Sequence, residues 1–243
     1  MSIGARSPAD QPLYNLVTGP TPATIADVIA RMQAIDALLP VSDGLKWFNQ
    51  LYLAVTQQVD LHSPGGAWQS PVWLLHLDVV FAGFYFSALA DFLSGQTVPS
   101  AWSAFFAARY RSGIDRIQFA LAGVNAHINH DLALALLTTD ADLNVVPASD
   151  GPEHADFESV NGLLDSLLPT ELNVLATDTL GVLAQDTGKI GRLLAFWDMR
   201  RARDLAWDFS NYLRELSEPT RDMALTAQDA VTGALGRAIL AAA

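Results

Sequence analysis

Apolar residues recur at helical spacing along almost the whole chain. After Thr21 and Pro22, apolar side chains return at positions 25, 28, 29, 32 and 35, which is the period of a helix with one buried face. The same pattern marks segments near 42–59, 70–94, 100–112, 115–138, 157–168, 172–185, 190–216 and 223–242. No stretch alternates apolar and polar residues as a half-buried strand does. The pattern predicts an all-α fold, a single-domain bundle of about nine helices around an aromatic-rich core.

Turn-forming residues suggest how this bundle is divided. The longest polar stretch, 140–154, contains proline and glycine and is predicted to be a loop. Neither side of that loop has a complete set of amphipathic helices, and 243 residues fit one large domain. We therefore predict an N-terminal extension over 1–20 and a single helical domain over 21–243.

The most apolar stretch, 72–93, approaches the length that spans a bilayer. It carries His76, Asp78 and Asp91, each of which is costly in hydrocarbon. A buried core helix explains the stretch better than a membrane span. The first residues show no apolar run behind a basic start, so we expect no signal peptide, no membrane partner and a cytoplasmic location.

Charge and composition exclude several classes of function. The chain has 14 basic and 26 acidic residues, a net charge of −12. This charge argues against nucleic acid as a partner, because proteins bind its phosphates mainly with basic side chains. It has no cysteine, so disulfides, thiolate metal sites and a cysteine nucleophile are excluded. Of the 26 acidic residues 21 are aspartates, although aspartate is a poor helix former. Some of them are therefore candidates for chemistry inside the core.

Asp78 is the first candidate. Its neighbours one helical turn away, at positions 74, 75, 81 and 82, are all apolar, so an unpaired carboxylate would cost several kcal/mol or its pKa would rise. It is either a catalytic carboxyl or the partner of a buried arginine, for which Arg109 and Arg111 are candidates that could also bind an anionic substrate. His76 points about 200° away and cannot share one ion with Asp78. Tyr85, on the same helix, is a candidate substrate contact.

Five polar residues within seven positions interrupt the apolar helix predicted over 115–138. They are Asn125, His127, Asn129, His130 and Asp131. His127 and Asp131 are four residues apart and share one helix face, and His130 can join them. A histidine and a carboxylate at this spacing can anchor Zn²⁺ or Fe²⁺. The alternative is a buried hydrogen-bond network between helices, and Asn125 is a candidate substrate contact.

Alternating charges follow an aromatic pair in the segment 196–208. Asp198 and Arg201, and again Arg201 and Asp204, are three residues apart, which is typical of salt bridges on a helix surface. In the alternative arrangement Trp197 and Asp198 face inward. Asp198 is then a catalytic candidate, while Trp197 and Arg201 are substrate-binding candidates, with Arg201 holding a carboxylate.

Several known site motifs are missing from the sequence. No glutamate is followed three residues later by histidine, as di-iron helical bundles require. There is no glycine-rich dinucleotide or phosphate loop, so no nucleotide cofactor is expected. There is no Gly-x-Ser-x-Gly hydrolase turn and no Asp-Asp-x-x-Asp magnesium motif.

Three segments, 77–89, 119–136 and 196–207, resemble a family of uncharacterised bacterial all-helical proteins, a domain of unknown function. The most specific part is Asn125-Ala-His127-Ile-Asn129-His130-Asp131-Leu132. The likeness extends from about residue 21 onward. It implies an all-helical single domain with a distinctive polar motif, and it carries no established reaction.

Three hypotheses for function follow from these residues. In the first, an enzyme acts on a hydrophobic small molecule in a pocket between helices. A divalent metal, zinc or iron, held by His127, His130 and Asp131 assists hydrolase or lyase/cyclase chemistry. Asp78 or Asp198 then serves as a further ligand or general base.

The second hypothesis is an acid/base isomerase or cyclase without a metal, in which Asp78 has a raised pKa and works with His127. The third is a binding or scaffold protein whose polar motif is only structural. All three are compatible with a homodimer.

Overall fold

The computed structural model describes residues 8–61, 68–176 and 198–241. A short 3-10 turn at Pro8–Asp10 precedes the first α-helix. In chain order the α-helices are α1 (Gln11–Val17), α2 (Ile25–Leu38), α3 (Leu45–Leu61), α4 (Pro71–Ser94), α5 (Ser100–Ala108), α6 (Arg116–Ala126), α7 (Leu132–Leu143), α8 (Pro152–Ala176), α9 (Met199–Glu215) and α10 (Glu218–Ala241). Because a π-turn joins α6 to α7 without a break, the described residues form nine continuous helices and no strand. The predicted all-α fold is confirmed.

Some helix ends differ from the predicted ones. Helix α2 starts after Thr24 rather than at Thr21, because the Thr24 hydroxyl accepts from the Asp27 amide at 3.2 Å and the Asp27 carboxylate accepts from the Thr24 amide at 3.0 Å. This reciprocal pair satisfies two amides that a helix start leaves unpaired. Within the segment predicted as an extension, α1 contacts α2 and α4 and buries Leu13 and Val17.

The polar loop predicted over 140–154 is shorter in the structure. Helix α7 continues to Leu143 and ends on Asn144, whose φ of 52° is left-handed, and α8 already begins at Pro152. His154, at the end of that predicted loop, lies in the first turn of α8. Its ring is 4.5 Å from that of Trp207.

Helix α8 is also longer than the pattern predicted. Pro169 was expected to separate two helices, but the helix runs through it to residue 176. A proline inside a helix removes one hydrogen bond and crowds the preceding turn, at a cost of about 3 kcal/mol or more. Buried Phe157, Val160 and Leu164 hold the preceding turns against the core. Most of the helix predicted over 172–185 and the start of that over 190–216 lie outside the described residues.

Aromatic rings fill the centre of the bundle. Phe48 of α3 packs edge-on against Tyr85 of α4, with ring centroids 5.1 Å apart, and Trp102 of α5 stacks on Phe106 at 5.1 Å. Trp102, Phe105 and Phe106 are each at most 1% exposed. Burying each such side chain contributes about 1.5–3 kcal/mol, so this cluster is a main source of stability.

Helix α4 supplies much of that core. Among the described residues it is the helix long and apolar enough to cross a membrane by length and composition, with half of its most apolar window buried inside the protein. Its buried side chains include Trp73, Leu77, Tyr85 and Leu89.

The last described helix, α10, packs against α5 and α6. Gly233 lies against Ser100, where an added Cβ would come within 2.7 Å of the α5 backbone. The Gln118 amide donates to the Ile239 carbonyl at 2.7 Å, and the Asn125 amide donates to the Thr232 carbonyl at 3.0 Å. Because α6 leads directly into the polar motif, α10 also positions that motif.

Candidate active site

A π-turn over His127–Asp131 holds the polar motif. The sequence predicted a regular α-helix here. A π-turn fits one extra residue into the helix, and such turns are frequent at functional sites. Gln228 of α10 supports the turn by donating its amide to the Asn129 carbonyl at 2.5 Å. The predicted contact between His127 and Asp131 is nevertheless present.

The Asp131 carboxylate binds both histidines of the motif. One oxygen lies 2.9 Å from His127 Nδ1 and accepts from the Trp102 indole at 3.0 Å, and the other lies 2.8 Å from His130 Nδ1. Burial alone would raise the pKa of Asp131, but the hydrogen bonds and charges of the two histidines lower it overall. The group is therefore an ionised carboxylate, which can only accept, so both Nδ1 atoms carry the hydrogen.

His127 thus presents a free Nε2 atom. This nitrogen is buried and has no hydrogen-bond partner among the described residues. The ring stacks on Phe81, with centroids 3.5 Å apart and planes within 5°, and lies 4.6 Å from the Tyr52 ring. Burial lowers the pKa of His127 although Asp131 opposes the shift. At neutral pH the imidazole is therefore uncharged, with its lone pair on Nε2.

His130 differs from its neighbour in charge. Burial lowers its pKa, but the hydrogen bond and charge of Asp131, with the charge of Asp229, raise it overall. His130 Nε2 lies 3.7 Å from an Asp229 oxygen. Asp229 also caps α5, accepting from the Ser100 and Ala101 amides at 2.9 Å each. Asp131 and Asp229 therefore favour the protonated form of His130, whose positive charge balances the negative charge of Asp131.

A cavity of about 70 Å³ lies between α3, α4, α6, α8 and α9 beside His127. Its walls are mostly aliphatic and aromatic. They include Leu51, Tyr52, Leu77, Phe81, Ile128 and Leu164. Thr56, Asp78, His127 and Arg203 are polar groups in this lining. An apolar cavity with a few convergent polar groups is the usual form of a small-molecule site.

Asp78 lines the same cavity. The residue is half-buried, but its Oδ2 atom has no accessible surface and no hydrogen-bond partner among the described residues. Burial raises the pKa of Asp78 to about 7, and the positive charge of Arg203 only partly opposes that rise. The carboxyl group is therefore able to give or take a proton near neutral pH.

Arg203 of α9 is the charged group facing Asp78, a role that the residue pattern did not predict. Its Nε donates to the Asn161 side chain at 2.8 Å, and one terminal nitrogen donates to the Phe157 carbonyl at 2.7 Å. Burial lowers its pKa to about 10, while the charge of Asp78 opposes that change. The sequence contained a sign that Arg203 is buried, because it shares one face of α9 with the buried Trp207 and Ser210.

The arginines expected near Asp78 lie elsewhere. Arg109 is buried but pairs with Asp43, with its Nε 3.0 Å from both carboxylate oxygens. Arg111 is exposed. The prediction that either one neutralises Asp78 is wrong. Residue spacing reveals which helix face a side chain occupies but not which other helix packs there.

The remaining candidates on α9 are placed at the surface. Asp198 is exposed at the N-cap of α9, where its carboxylate accepts from the Arg201 amide at 3.0 Å. The Arg201 side chain is also exposed. Because α9 begins only at Met199, Asp198 is a capping residue and does not line the cavity. Trp197 lies outside the described residues.

Tyr85, Asn125 and His76 are engaged in other contacts. Tyr85 is fully buried in the aromatic core, and its hydroxyl donates to Asn49 at 3.4 Å. The Asn125 side chain, besides donating to Thr232, accepts from the Asn129 amide at 3.0 Å. His76 pairs with Asp142 at 2.9 Å near the surface. None of the three lines the cavity.

The predicted metal ligands do not form a metal centre. Across residues 8–61, 68–176 and 198–241, no group of three or more His, Asp or Glu side chains is arranged to hold an ion. His127 and His130 both direct Nδ1 at the Asp131 carboxylate, so these atoms bind one another rather than a common ion. The donor set of His127, His130 and Asp131 therefore does not fit a divalent metal in this arrangement.

Fold and site together define an all-helical protein with a buried His–Asp pair beside an apolar cavity. A model of the family of unknown function DUF5995 matches residues 25–242, and the chain belongs to this family. The predicted membership of an all-helical family of unknown function is confirmed. No curated protein matches the chain, and no solved structure does.

Proposed function

We propose that the protein is an acid/base enzyme, of isomerase or cyclase type, that acts on a small hydrophobic molecule in the cavity. One observation carries this proposal. Asp78 Oδ2 and His127 Nε2 are buried polar atoms with no hydrogen-bond partner in the part of the chain that the structure describes, and both residues line the same apolar cavity. Leaving a buried polar atom unpaired costs about 1–3 kcal/mol. A bound molecule that pairs with both atoms recovers that cost.

The two residues are suited to opposite roles in proton transfer. Asp131 holds His127 in the tautomer that leaves Nε2 free, as the carboxylate of an Asp–His pair does in many enzymes. His127 is the general base. Asp78, whose pKa is raised to about 7 by burial, remains largely protonated below neutrality and is the general acid. The positive charge of Arg203 favours negative charge that develops on the substrate.

The metal-assisted version of this function requires a rearrangement. For Asp131 to ligate zinc or iron, it would have to give up hydrogen bonds to His127 and His130. The geometry therefore supports metal-free proton transfer better. Enzyme that loses its activity to a chelator, and regains it with zinc or iron, would contradict the metal-free version.

The function is tested by joint measurement of binding and turnover. Uncharged molecules of up to four carbons (alcohols, ketones, aldehydes and alkenes) are screened for binding by saturation-transfer NMR and for conversion by one-dimensional NMR. We expect at least one class to bind and react. The Asp78→Asn and His127→Gln variants should react at least tenfold more slowly.

The matched control is Asp198→Asn, because this carboxylate is exposed and outside the cavity. It should react like the unaltered protein. If molecules bind but none of them reacts, the cavity serves binding alone and the proposed enzyme function is wrong. If no molecule binds, the polar motif is a structural network.

A further inference from the structure

We propose that the substrate is a small uncharged carbonyl compound with a hydrogen on the carbon next to the carbonyl group, and that the cavity catalyses its enolisation. This inference rests on the proposed function and names its substrate class. It starts from which atoms in the cavity are donors and which are acceptors.

The hydrogen-bonding capacity of the cavity selects such a molecule. His127 commits its Nδ1 hydrogen to Asp131, so its Nε2 can only accept. Asp78 in its acid form has one hydrogen to give, and within the described ranges its Oδ2 has no hydrogen-bond partner. A complementary ligand must accept a hydrogen bond from Asp78 and offer a removable hydrogen to His127. A carbonyl oxygen and its neighbouring C–H group meet these two requirements in one small unit.

Charge excludes the ionic alternatives. A cationic amine would lie near the buried guanidinium of Arg203, whose charge repels it. A permanent carboxylate would have to lose its hydration in a largely aliphatic cavity. Arg203 already donates from Nε to Asn161 and from a terminal nitrogen to Phe157. A neutral carbonyl compound enters without these costs, and its oxygen gains negative charge only as the reaction proceeds.

The proton transfers balance without any further reactant. His127 Nε2 takes the proton from the carbon next to the carbonyl group, and the electrons of that C–H bond form a carbon–carbon double bond. The carbonyl π electrons move to oxygen, which takes the proton of Asp78. The products are a neutral enol, a His127 imidazolium and an Asp78 carboxylate. In the return step the His127 imidazolium gives a proton to the same carbon, or in an unsaturated compound to the far end of the conjugated dienol, while the enol O–H group returns its proton to the Asp78 carboxylate. Both residues are regenerated, and the result is exchange or isomerisation.

The cavity volume limits the size of the substrate. A cavity of about 150 Å³ in another protein holds benzene, and this one measures about 70 Å³. Only a few non-hydrogen atoms therefore fit without side-chain movement. Acetone, butanone and butanal are suitable probes.

Hydrogen–deuterium exchange tests the substrate class directly. Each probe is incubated with the full-length protein in D₂O, and deuterium next to the carbonyl group is followed by NMR. We expect exchange at least tenfold faster than in buffer alone. Asp78→Asn and His127→Gln should each reduce this excess at least tenfold, whereas Asp198→Asn should retain it. Because the main comparison uses the unaltered protein, it does not depend on whether a variant folds.

Other outcomes separate this inference from the function on which it rests. If no carbonyl probe exchanges faster than in buffer while an alcohol or alkene is converted, the acid/base function stands and the carbonyl substrate is wrong. If exchange is fast but unchanged in both cavity variants, the reaction occurs elsewhere and the inference is equally wrong.

Discussion

At the scale of single residues, His127 without its second proton and Asp78 with its acid proton line one cavity. Burial lowers the pKa of the histidine and raises that of the carboxyl group. Each shift favours the uncharged form, as expected where an ion would lose its hydration. The result is a base and an acid that are both neutral over the same pH range.

This arrangement predicts a bell-shaped pH profile for the reaction. His127 must be unprotonated, so the rate rises as pH passes its pKa, which lies below the ordinary value of 6.5. Asp78 must be protonated, so the rate falls again above a pKa of about 7. The check is the rate of deuterium exchange from pH 4 to 9. A rate that keeps rising above pH 8 would show that Asp78 is not the acid.

Asp78 should also reduce stability as pH rises. Its pKa is about 3.9 in an unfolded chain and about 7 in the folded protein. The folded state therefore binds more protons between these values. The contribution of Asp78 to the free energy of unfolding is fully present below about pH 4 and is lost as the pH rises through 7.

The Asp78→Asn variant should show this loss. At pH 8 we expect it to unfold with a free energy higher than that of the unaltered protein, by on the order of 3 kcal/mol. At pH 4 the two should agree closely. Urea denaturation at both pH values measures the difference. Equal stability at pH 8 would mean that the carboxylate finds a stabilising partner when ionised.

At the scale of elements, close packing of α6 on α3 depends on Gly123. A Cβ at this position would lie 2.4 Å from the ring of Phe48. That ring is enclosed by Tyr85 and Trp102 and has little room to move. We expect Gly123→Ala to lower the free energy of unfolding by about 1–3 kcal/mol, the usual cost of overpacking.

Gly83 of α4 provides the matched control. Apart from its chain neighbours and the backbone of its own helix, no atom of the described residues lies within 4 Å of a Cβ added there. Because alanine favours a helix over glycine, Gly83→Ala should raise stability by about 0.5–1 kcal/mol. Urea denaturation compares the two variants. Stabilisation by both would show that α6 can move away from α3.

The sequence predicted the helices and the main polar contact because both depend on local spacing. His127 and Asp131 are neighbours on one helix face, and the structure places them in contact. The π-turn was not predictable, because its extra residue is held by Gln228, about a hundred positions away. Asp198 was placed incorrectly because its role depends on where α9 begins.

At the scale of the whole molecule, the cavity combines residues from five helices spread over most of the chain. Asp78 and His127 could each be singled out as polar residues on apolar helices. That they share a cavity, and that Arg203 joins them, depends on how α4, α6 and α9 pack together. Such packing between distant segments leaves no trace in residue spacing.

The position of helix α10 near the C-terminal end of the described chain affects the order in which parts of the protein fold during synthesis. It supplies the partners of Asn125, Asn129 and His130 and is the last helix described. During synthesis the N-terminal helices leave the ribosome first, and they can collapse around the aromatic core while α10 is still inside. The π-turn then lacks its support. The nascent chain therefore carries His127 and Asp131 before it can hold the π-turn in position, and the turn gains its support only once α10 has left the ribosome.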